Sequence, residues 1–387
     1  MKTKQYLFWL ICLCSLVTLE SCESINSTKP NNEQSQNDKP LSSIIFTQGL
    51  DGYAIYRIPT LVISKKGTIL CFCEGRKNSA SDNGNIDIVL KRSDDNGKTW
   101  GANQVLVDAG EDRYGNPVPV ILESGRILLV FGWSVASSSM SSKVFVMYSD
   151  DDGVTWSPEK EITDQIRIAT RSIYMTGPVH GIIKTREPKK GRILIPLYGK
   201  TSNSLPVATI YSDDNGETWC HGGSVPYSKG GESTIAELGD GSLMINMRDG
   251  DENPFRYQSM SIDAGATWKT PTQTQIIDPI CQGSLLTYKL GDARNNTELL
   301  FSNPNHTSSR RHGSVKYSKN GGLTWNLMYQ YTTDSGNDMY SAYSDLVVIN
   351  DELIGVAYES GYKYNGGILF KSFRMTDINL PYTGEEK

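Results

Sequence analysis

Residues 93–100 read Ser-Asp-Asp-Asn-Gly-Lys-Thr-Trp, and this stretch decides the fold because its pattern recurs along the chain. Four further copies follow at 149–156 (SDDDGVTW), 212–219 (SDDNGETW), 261–268 (SIDAGATW) and 318–325 (SKNGGLTW). The closing tryptophans of successive copies are 49 to 63 residues apart. Asp and Gly favour a tight turn, and a unit of this length accommodates four short strands, which is the content of one β-propeller blade.

The segments between the repeats have the composition of short β-strands. They are apolar runs bounded by Gly, Asn, Asp or Pro, such as RILLVFGWS at 126–134 and RILIPLYG at 192–199, and none shows a sustained helical period. We therefore predict an all-β, six-bladed β-propeller with Asp-box repeats, forming a single domain over 41–387. Five blades would carry a repeat. The sixth would join the strands within 343–374 to the first strand at Ile44–Thr47, which closes the ring and removes exposed sheet edges.

The N-terminus has the pattern of a targeting segment. Two lysines precede an apolar run at 6–17, and LESC at 19–22 resembles a lipoprotein cleavage box, with glutamate where a small residue is usual. We expect a signal peptide over 1–22, lipidation at Cys22 and a flexible polar tether over 23–40. The protein would then be anchored in the cell envelope, on the periplasmic or the surface face. Ordinary cleavage, which would release a secreted protein, is the alternative.

Charge and cysteine content exclude several classes of function. The formal net charge is −5, and acidic and basic residues are interspersed, so the chain has no basic stripe for nucleic acid. Outside the signal segment the cysteines are Cys71, Cys73, Cys220 and Cys281, without a CxxC motif, and the four histidines are not spaced as ligands. We therefore expect buried free thiols and no metal or organic cofactor.

Several arginines stand in distinctive motifs. Arg57 lies in Tyr-Arg-Ile-Pro, Arg248 follows the strand-like Met-Ile-Asn-Met, and Arg310 and Arg311 precede the last repeat. A planar guanidinium group remains charged and matches a carboxylate with two hydrogen bonds. Together with the turn repeats, these motifs resemble the sialidase family, whose members are retaining exo-sialidases with six-bladed propellers. The resemblance implies that Arg57, Arg248 and Arg310 bind the substrate carboxylate, with Arg311 as the alternative to Arg310.

The segment Ala-Tyr-Ser-Asp-Leu at 342–346 is similar to the nucleophile motif of that family. The resemblance assigns Tyr343 as the nucleophile, and Tyr340 is the alternative. A phenol suits a substrate with a carboxylate on the reacting carbon, because a neutral group is not repelled by it. Since the pKa of a phenol is about 10, the tyrosine needs a base beside it.

Two carboxylates compete for the role of that base. The segment GESTIAEL at 231–238 resembles the strand that carries the family's catalytic glutamate, and it contains both Glu232 and Glu237. The two positions differ by an odd number of residues, so only one of them faces the pocket if the strand is regular. The resemblance assigns the role to Glu232 and leaves Glu237 as the competitor.

The general acid is expected in the loop after the Glu-Gly-Arg motif at 74–76. The segment EGRKNSASD at 74–82 is similar to the corresponding loop of the family, which implies that Asp82 is the acid and that Arg76 lines the same pocket. A general acid works best with a pKa above the ordinary carboxyl value near 4, so we expect the pKa of Asp82 to be raised. Less specific similarities to the family imply that Asn116 lies at the mouth of the pocket, and they leave the role of His180 open.

The activity implied by the resemblance is hydrolysis of terminal sialic acids with retention, through a tyrosyl–enzyme intermediate. The substrates would be sialylated glycoproteins, gangliosides and oligosaccharides, and the enzyme would act as a monomer without a cofactor. Two alternatives are kept: an intramolecular trans-sialidase and a propeller that binds glycans without turnover.

Overall fold

The computed structural model describes residues 41–138, 143–167, 173–200, 206–250, 253–332, 339–361 and 366–376. The chain divides into two units, Met1–Asn37 and Asp38–Lys387, and all described residues belong to the second. The predicted signal peptide at 1–22, the lipidation site Cys22 and the tether at 23–40 lie outside the described residues. Within the described ranges, no helix has the length and apolar character needed to cross a membrane.

The described residues form β-strands joined by a short α-helix, α1 (Thr163–Ile166), and a 3-10 turn (Arg294–Asn296). In chain order the strands are β1 (Ser42–Phe46), β2 (Ile55–Ile63), β3 (Ile69–Arg76), β4 (Ile86–Ser93), β5 (Gln104–Val107), β6 (Arg113–Ile121), β7 (Ile127–Ser134), β8 (Lys143–Ser149), β9 (Lys160–Glu161), β10 (Ile173–Thr176), β11 (Ile182–Ile183), β12 (Ile193–Lys200), β13 (Val207–Ser212), β14 (Cys220–Ser224), β15 (Gly230–Glu237), β16 (Leu243–Asp249), β17 (Phe255–Ser261), β18 (Thr272–Ile277), β19 (Ser284–Lys289), β20 (Glu298–Pro304), β21 (Gly313–Ser318), β22 (Asn326–Gln330), β23 (Ser341–Val348), β24 (Leu353–Ser360) and β25 (Gly367–Arg374).

The strands pair into an all-β propeller. Four sheets are separate: β1-β25-β24-β23, β10-β12-β13-β14 with β11 beside β12, β15-β16-β17-β18, and β19-β20-β21-β22. Strands β2 to β9 form one eight-stranded sheet, in which β4 and β6 are joined by a single parallel pair, Ile86 with Arg113. The prediction of six separate blades is therefore not met by the strand pairing, because this one bridge fuses two groups of strands. Strand β1 pairs with β25 near Ile44, as the sequence predicted.

The repeated octapeptides form turns with a common hydrogen-bond pattern. In the first, the Gly97 amide donates to Ser93 Oγ at 2.8 Å, and the Thr99 amide donates to Asp95 Oδ1 at 2.9 Å. The fifth copy keeps this geometry with Asn320, whose side-chain oxygen accepts from the Thr324 amide at 2.9 Å. An amide oxygen thus replaces the carboxylate as the acceptor that closes the turn.

The tryptophan that ends each repeat packs the turn onto a sheet. Trp156, in the second copy, meets Phe72 of β3 edge to face with ring centroids 5.8 Å apart. Trp219, in the third copy, is 2% exposed and belongs to the buried cluster that contains Val130 of β7 and Ile195 of β12. Because burial of large aromatic side chains contributes strongly to stability, these contacts bind neighbouring groups of strands together around the ring.

Candidate active site

A cavity of about 200 Å³ brings together most of the residues predicted from the sequence motifs. Its lining includes five of the seven predicted site residues: Arg76, Asp82, Glu232, Arg248 and Tyr343. The five other lining residues are Ile58, Arg113, Asn116, Met175 and Tyr198. Asn116 therefore lies where the sequence placed it, whereas Arg113 was not predicted.

Bulges in several strands aim side chains into this cavity. Among the bulges of the described strands, four contain a residue that lines the cavity. These residues are Ile58 in β2, Asn116 in β6, Glu232 in β15 and Tyr343 in β23, and in each strand one extra residue interrupts the pairing with the neighbouring strand. Ile58 and Asn116 have positive φ angles of 61° and 54°. A bulge bends its strand and re-aims a side chain, which explains why strict alternation along a strand does not describe these segments.

Tyr343 and Glu232 are in direct contact. The Tyr343 hydroxyl donates a hydrogen bond to Glu232 Oε1, and both side chains are buried. Arg248 Nη1 donates to Glu232 Oε2 at 2.6 Å and lies 3.4 Å from the Tyr343 hydroxyl. Burial raises the pKa of Tyr343 well above its ordinary value, Glu232 raises it further, and the neighbouring arginines only partly oppose this. The phenol is therefore neutral at physiological pH and has a carboxylate positioned to accept its proton.

Two more arginines flank the Tyr343 ring. The guanidinium carbons of Arg57 and Arg310 lie 5.1 and 5.5 Å from the ring centroid. Arg57 is held by Glu359 of β24, with Nε 3.1 Å from Oε1 and Nη2 3.4 Å from Oε2. The same carboxylate accepts a hydrogen bond from the Ile58 amide at 2.9 Å. Glu359 was missed by the sequence analysis, because a single carboxylate on a buried strand has no pattern that distinguishes it.

The two adjacent arginines near the last repeat face different partners. Arg310 Nη2 donates to the Ile280 carbonyl at 3.4 Å beside the tyrosine, whereas Arg311 Nη2 donates to His306 Nε2 at 2.8 Å. The backbone of Arg311 also forms an isolated bridge with Tyr340. The three arginines that surround Tyr343 are therefore Arg57, Arg248 and Arg310. Of the two candidate tyrosines, Tyr343 is the one bonded to Glu232.

Asp82 stands at the open side of the cavity, and its side chain is 59% exposed. Its Oδ1 lies 2.9 Å from Arg76 Nη1 and 3.2 Å from Arg57 Nη1. Partial burial acts to raise the pKa of Asp82, but Arg76 and Arg57 outweigh it, and the pKa is lowered. The expectation of a raised pKa was therefore wrong for this arrangement, because two guanidinium groups face the carboxylate directly.

The Asp82 loop is attached to the sheet through a buried ion pair. Arg76 Nη2 lies 2.6 Å from Glu74 Oε2, and Arg76 Nη1 donates to the Ala80 and Ser81 carbonyls at 2.6 and 2.9 Å. Burial acts to raise the pKa of Glu74, but Arg76 and Arg113 outweigh it and lower the pKa. Glu74 is therefore ionised, and Arg76 both lines the cavity and holds the loop that carries the predicted acid.

Glu237 and His180 belong to structural contacts outside the cavity. Glu237 Oε1 accepts from Lys184 Nζ at 2.7 Å, and Oε2 accepts from the Thr185 amide at 2.6 Å, which holds the segment that follows β11. His180 Nδ1 lies 2.8 Å from Asp345 Oδ1. Burial lowers the pKa of His180, but Asp345 outweighs it and the net shift is upward. Of the two competing carboxylates, only Glu232 contacts the tyrosine.

Comparison with known proteins gives the family. Residues 67–356 match the family described as BNR repeat-like domain. A sialidase of Bacteroides fragilis is 31% identical over 85% of this chain, which spans 64% of that relative's length, and a sialidase of Paraclostridium sordellii is 29% identical over 99% of both chains. The solved Hadza microbial sialidase Hz136 superposes with a TM-score of 0.77 at 26% identity, over 87% of this chain and 69% of that one. The chain therefore belongs to the BNR repeat-like family, and the relatives to which it is similar include bacterial sialidases.

Proposed function

We propose that the protein is an exo-α-sialidase that releases terminal sialic acids from glycoproteins, gangliosides and sialyl-oligosaccharides with retention. The observation that carries the proposal is the hydrogen bond from the Tyr343 hydroxyl to Glu232 inside a ring of three arginines. Three fixed cations suit a sugar acid, since a guanidinium group binds a carboxylate with two directed hydrogen bonds. The names of the bacterial relatives agree with this substrate class.

In the first step the Tyr343 oxygen attacks the anomeric carbon while Glu232 takes the phenolic proton. The bond to the leaving sugar breaks, and Asp82 gives its proton to the departing oxygen. Asp82 must therefore be protonated when the substrate is bound. The substrate carboxylate would pair with Arg57 and cancel part of the positive charge that now lowers the pKa of Asp82. Binding of the sugar acid thus prepares the acid for its role.

In the second step a water molecule attacks the same carbon, and Asp82 accepts its proton. The bond to Tyr343 breaks, and Glu232 returns the proton to the phenolic oxygen. Two inversions at one carbon give net retention. If a hydroxyl of the bound sugar attacked in place of water, the product would be an anhydro sugar, as in an intramolecular trans-sialidase.

The remaining parts of the proposal concern architecture and location. The eight-stranded sheet would count as two blades, β2 to β5 and β6 to β9, since only the Ile86–Arg113 pair joins them, and the propeller would then have six blades. Lipidation at Cys22 would anchor the protein in the cell envelope through the polar tether at 23–40. The catalytic residues are all protein side chains, and the proposed steps use no cofactor.

The test is hydrolysis of a fluorogenic 4-methylumbelliferyl α-sialoside by the protein and by two matched variants. Tyr343→Phe removes the attacking oxygen and should lower kcat by at least about a thousandfold, since covalent catalysis is lost. Tyr340→Phe is the control and should retain activity. Proton NMR of the first product should show the α-anomer of free sialic acid. Near-normal turnover by Tyr343→Phe, or binding of the sialoside without turnover by the unsubstituted protein, would contradict the proposal.

A further inference from the structure

We propose that Asp278 and Arg256 are positioning residues for Arg310, and that they act through the turn Asp278–Cys281. The inference rests on the proposed function, because it assigns to Arg310 the task of binding the substrate carboxylate. Neither Asp278 nor Arg256 lines the active-site cavity. We infer that they influence catalysis indirectly, by setting the position of the backbone that Arg310 contacts.

Arg310 is oriented differently from the other two arginines around Tyr343. Arg57 is paired with Glu359 and Arg248 with Glu232. Within the described part of the chain, no carboxylate forms an ion pair with Arg310, and its guanidinium group donates to the Ile280 carbonyl at 3.4 Å. The Arg310 side chain is thus oriented by the Ile280 carbonyl, whereas Arg57 and Arg248 are each oriented by a carboxylate.

The carbonyl of Ile280 belongs to a strained residue. Ile280 has a φ of 56°, in the left-handed region that β-branched residues avoid. Such a conformation is unfavourable for a β-branched residue and persists only when the surrounding contacts maintain it. The contacts that hold this turn therefore also determine where the Ile280 carbonyl points.

A buried clamp maintains the turn from both sides. The Cys281 amide donates to Asp278 Oδ1 at 2.7 Å, and Arg256 Nη1 donates to the Cys281 carbonyl at 2.6 Å. Arg256 Nη1 also lies 3.3 Å from Asp278 Oδ2, which closes the ring of contacts. Asn303 Nδ2 donates to the same oxygen at 3.0 Å. Arg256, Asp278 and Asn303 are all buried, so water does not compete for these hydrogen bonds.

Loosening this clamp should affect substrate binding more than the chemical step. An Ile280 residue that relaxes out of the left-handed region would turn its carbonyl away, and Arg310 would lose its orientation. Arg310 would bind the carboxylate both in the bound substrate and in the transition state, so its disorientation raises KM more than it lowers kcat. Cys281 also packs against Tyr343, which provides a second route to the site that the experiment must separate.

The experiment is a double-mutant cycle with steady-state kinetics on the fluorogenic sialoside. Asp278→Asn turns an amide donor toward Arg256 and Asn303, and it should raise KM about tenfold, with a smaller change in kcat. In the Arg310→Ala background the same substitution should leave KM unchanged, because the residue through which it acts is gone. An unchanged KM in folded Asp278→Asn, or an equal increase of KM in the Arg310→Ala background, would overturn the inference.

Two further variants complete the test. Asp213→Asn is the matched control, since Asp213 pairs at 2.7 Å with Arg192, which holds the carbonyl of Ala264, another residue with a φ of 56°. It should change thermal stability but not KM. Arg256→Lys keeps the positive charge but loses the second guanidinium donor. This variant replaces Asp278→Asn in the test if Asp278→Asn does not fold. Failure of both variants to fold would refute a positioning role. Absence of hydrolysis by the unsubstituted protein would instead refute the proposed function.

Discussion

Replacing Glu359 by glutamine should weaken both the fold and substrate binding. Glu359 is 2% exposed and accepts three hydrogen bonds, from Arg57 Nε at 3.1 Å, from Arg57 Nη2 at 3.4 Å and from the Ile58 amide at 2.9 Å. Glutamine retains one oxygen but turns an amide donor toward Arg57 and removes the negative charge. Breaking a buried ion pair costs about 3–5 kcal/mol of stability. The loss of a well-oriented Arg57 should cost about 1.5–3 kcal/mol of substrate binding, which is roughly a 10- to 100-fold rise in KM.

The assay combines denaturant unfolding with kinetics on the fluorogenic sialoside. Glu237→Gln is the matched control, because Glu237 is also a buried carboxylate paired with a cation, Lys184, but it lies outside the cavity. The control should lose stability and keep its KM. A Glu359→Gln protein that is destabilised while its KM stays within about twofold of the original value would refute the reasoning, since Glu359 would then support the fold without orienting Arg57.

Two further predictions concern protonation. Because Arg76 and Arg57 lower the pKa of Asp82 in the free protein, kcat/KM for natural sialosides should begin to fall at a pH below the ordinary carboxyl value and keep falling as the pH rises, while aryl sialosides, whose leaving group needs no proton, should show a flatter profile. Asp82→Asn should remove this difference, and identical profiles for both substrates in the unsubstituted protein would contradict the assignment. Burial lowers the pKa of Lys316 to about 7 from 10.5, so between these values the unfolded chain binds a proton that the folded protein has released. The free energy of unfolding should therefore rise with pH in this window, by at most about 1.4 kcal/mol per pH unit, and Lys316→Met should lack that increment in urea titrations at pH 7, 8 and 9.

The fold could be predicted from the sequence to the extent that local turns determine it. Each repeat places a Ser, an Asp or Asn and a Gly at positions where their hydrogen bonds close a turn, as between Ser93 and Gly97. These contacts are local, so the sequence pattern reveals them. The bridge between Ile86 and Arg113 is different, because it depends on how two neighbouring groups of strands pack against each other. No spacing in the sequence indicates it, and it alone changes the count of separate sheets.

The candidate site shows the same difference between local motifs, which the sequence reveals, and contacts between distant segments, which it does not. The residues in motifs, among them Tyr343, Glu232 and Arg248, were predicted, and the structure brings them together. Glu359 was not predicted, since its partner Arg57 is 302 positions away in the chain. The expected pKa of Asp82 was wrong for a related reason: the charges that determine it come from two different strands and are invisible when the loop is considered alone.

The bulges in β2, β6, β15 and β23 explain how side chains from different strands reach the same cavity. A regular strand turns every second side chain to each face, so a row of strands alone would offer one residue each at a given height. An added residue breaks that alternation and aims a side chain into the cavity, as for Glu232 and Tyr343 on different sheets. Tyr343 and Glu232 are 111 positions apart in sequence, yet their bulges place the hydroxyl and the carboxylate in contact. The contact between Tyr343 and Glu232 therefore depends on one bulge in each of two strands, and a change that restored regular pairing in either strand should separate the two side chains.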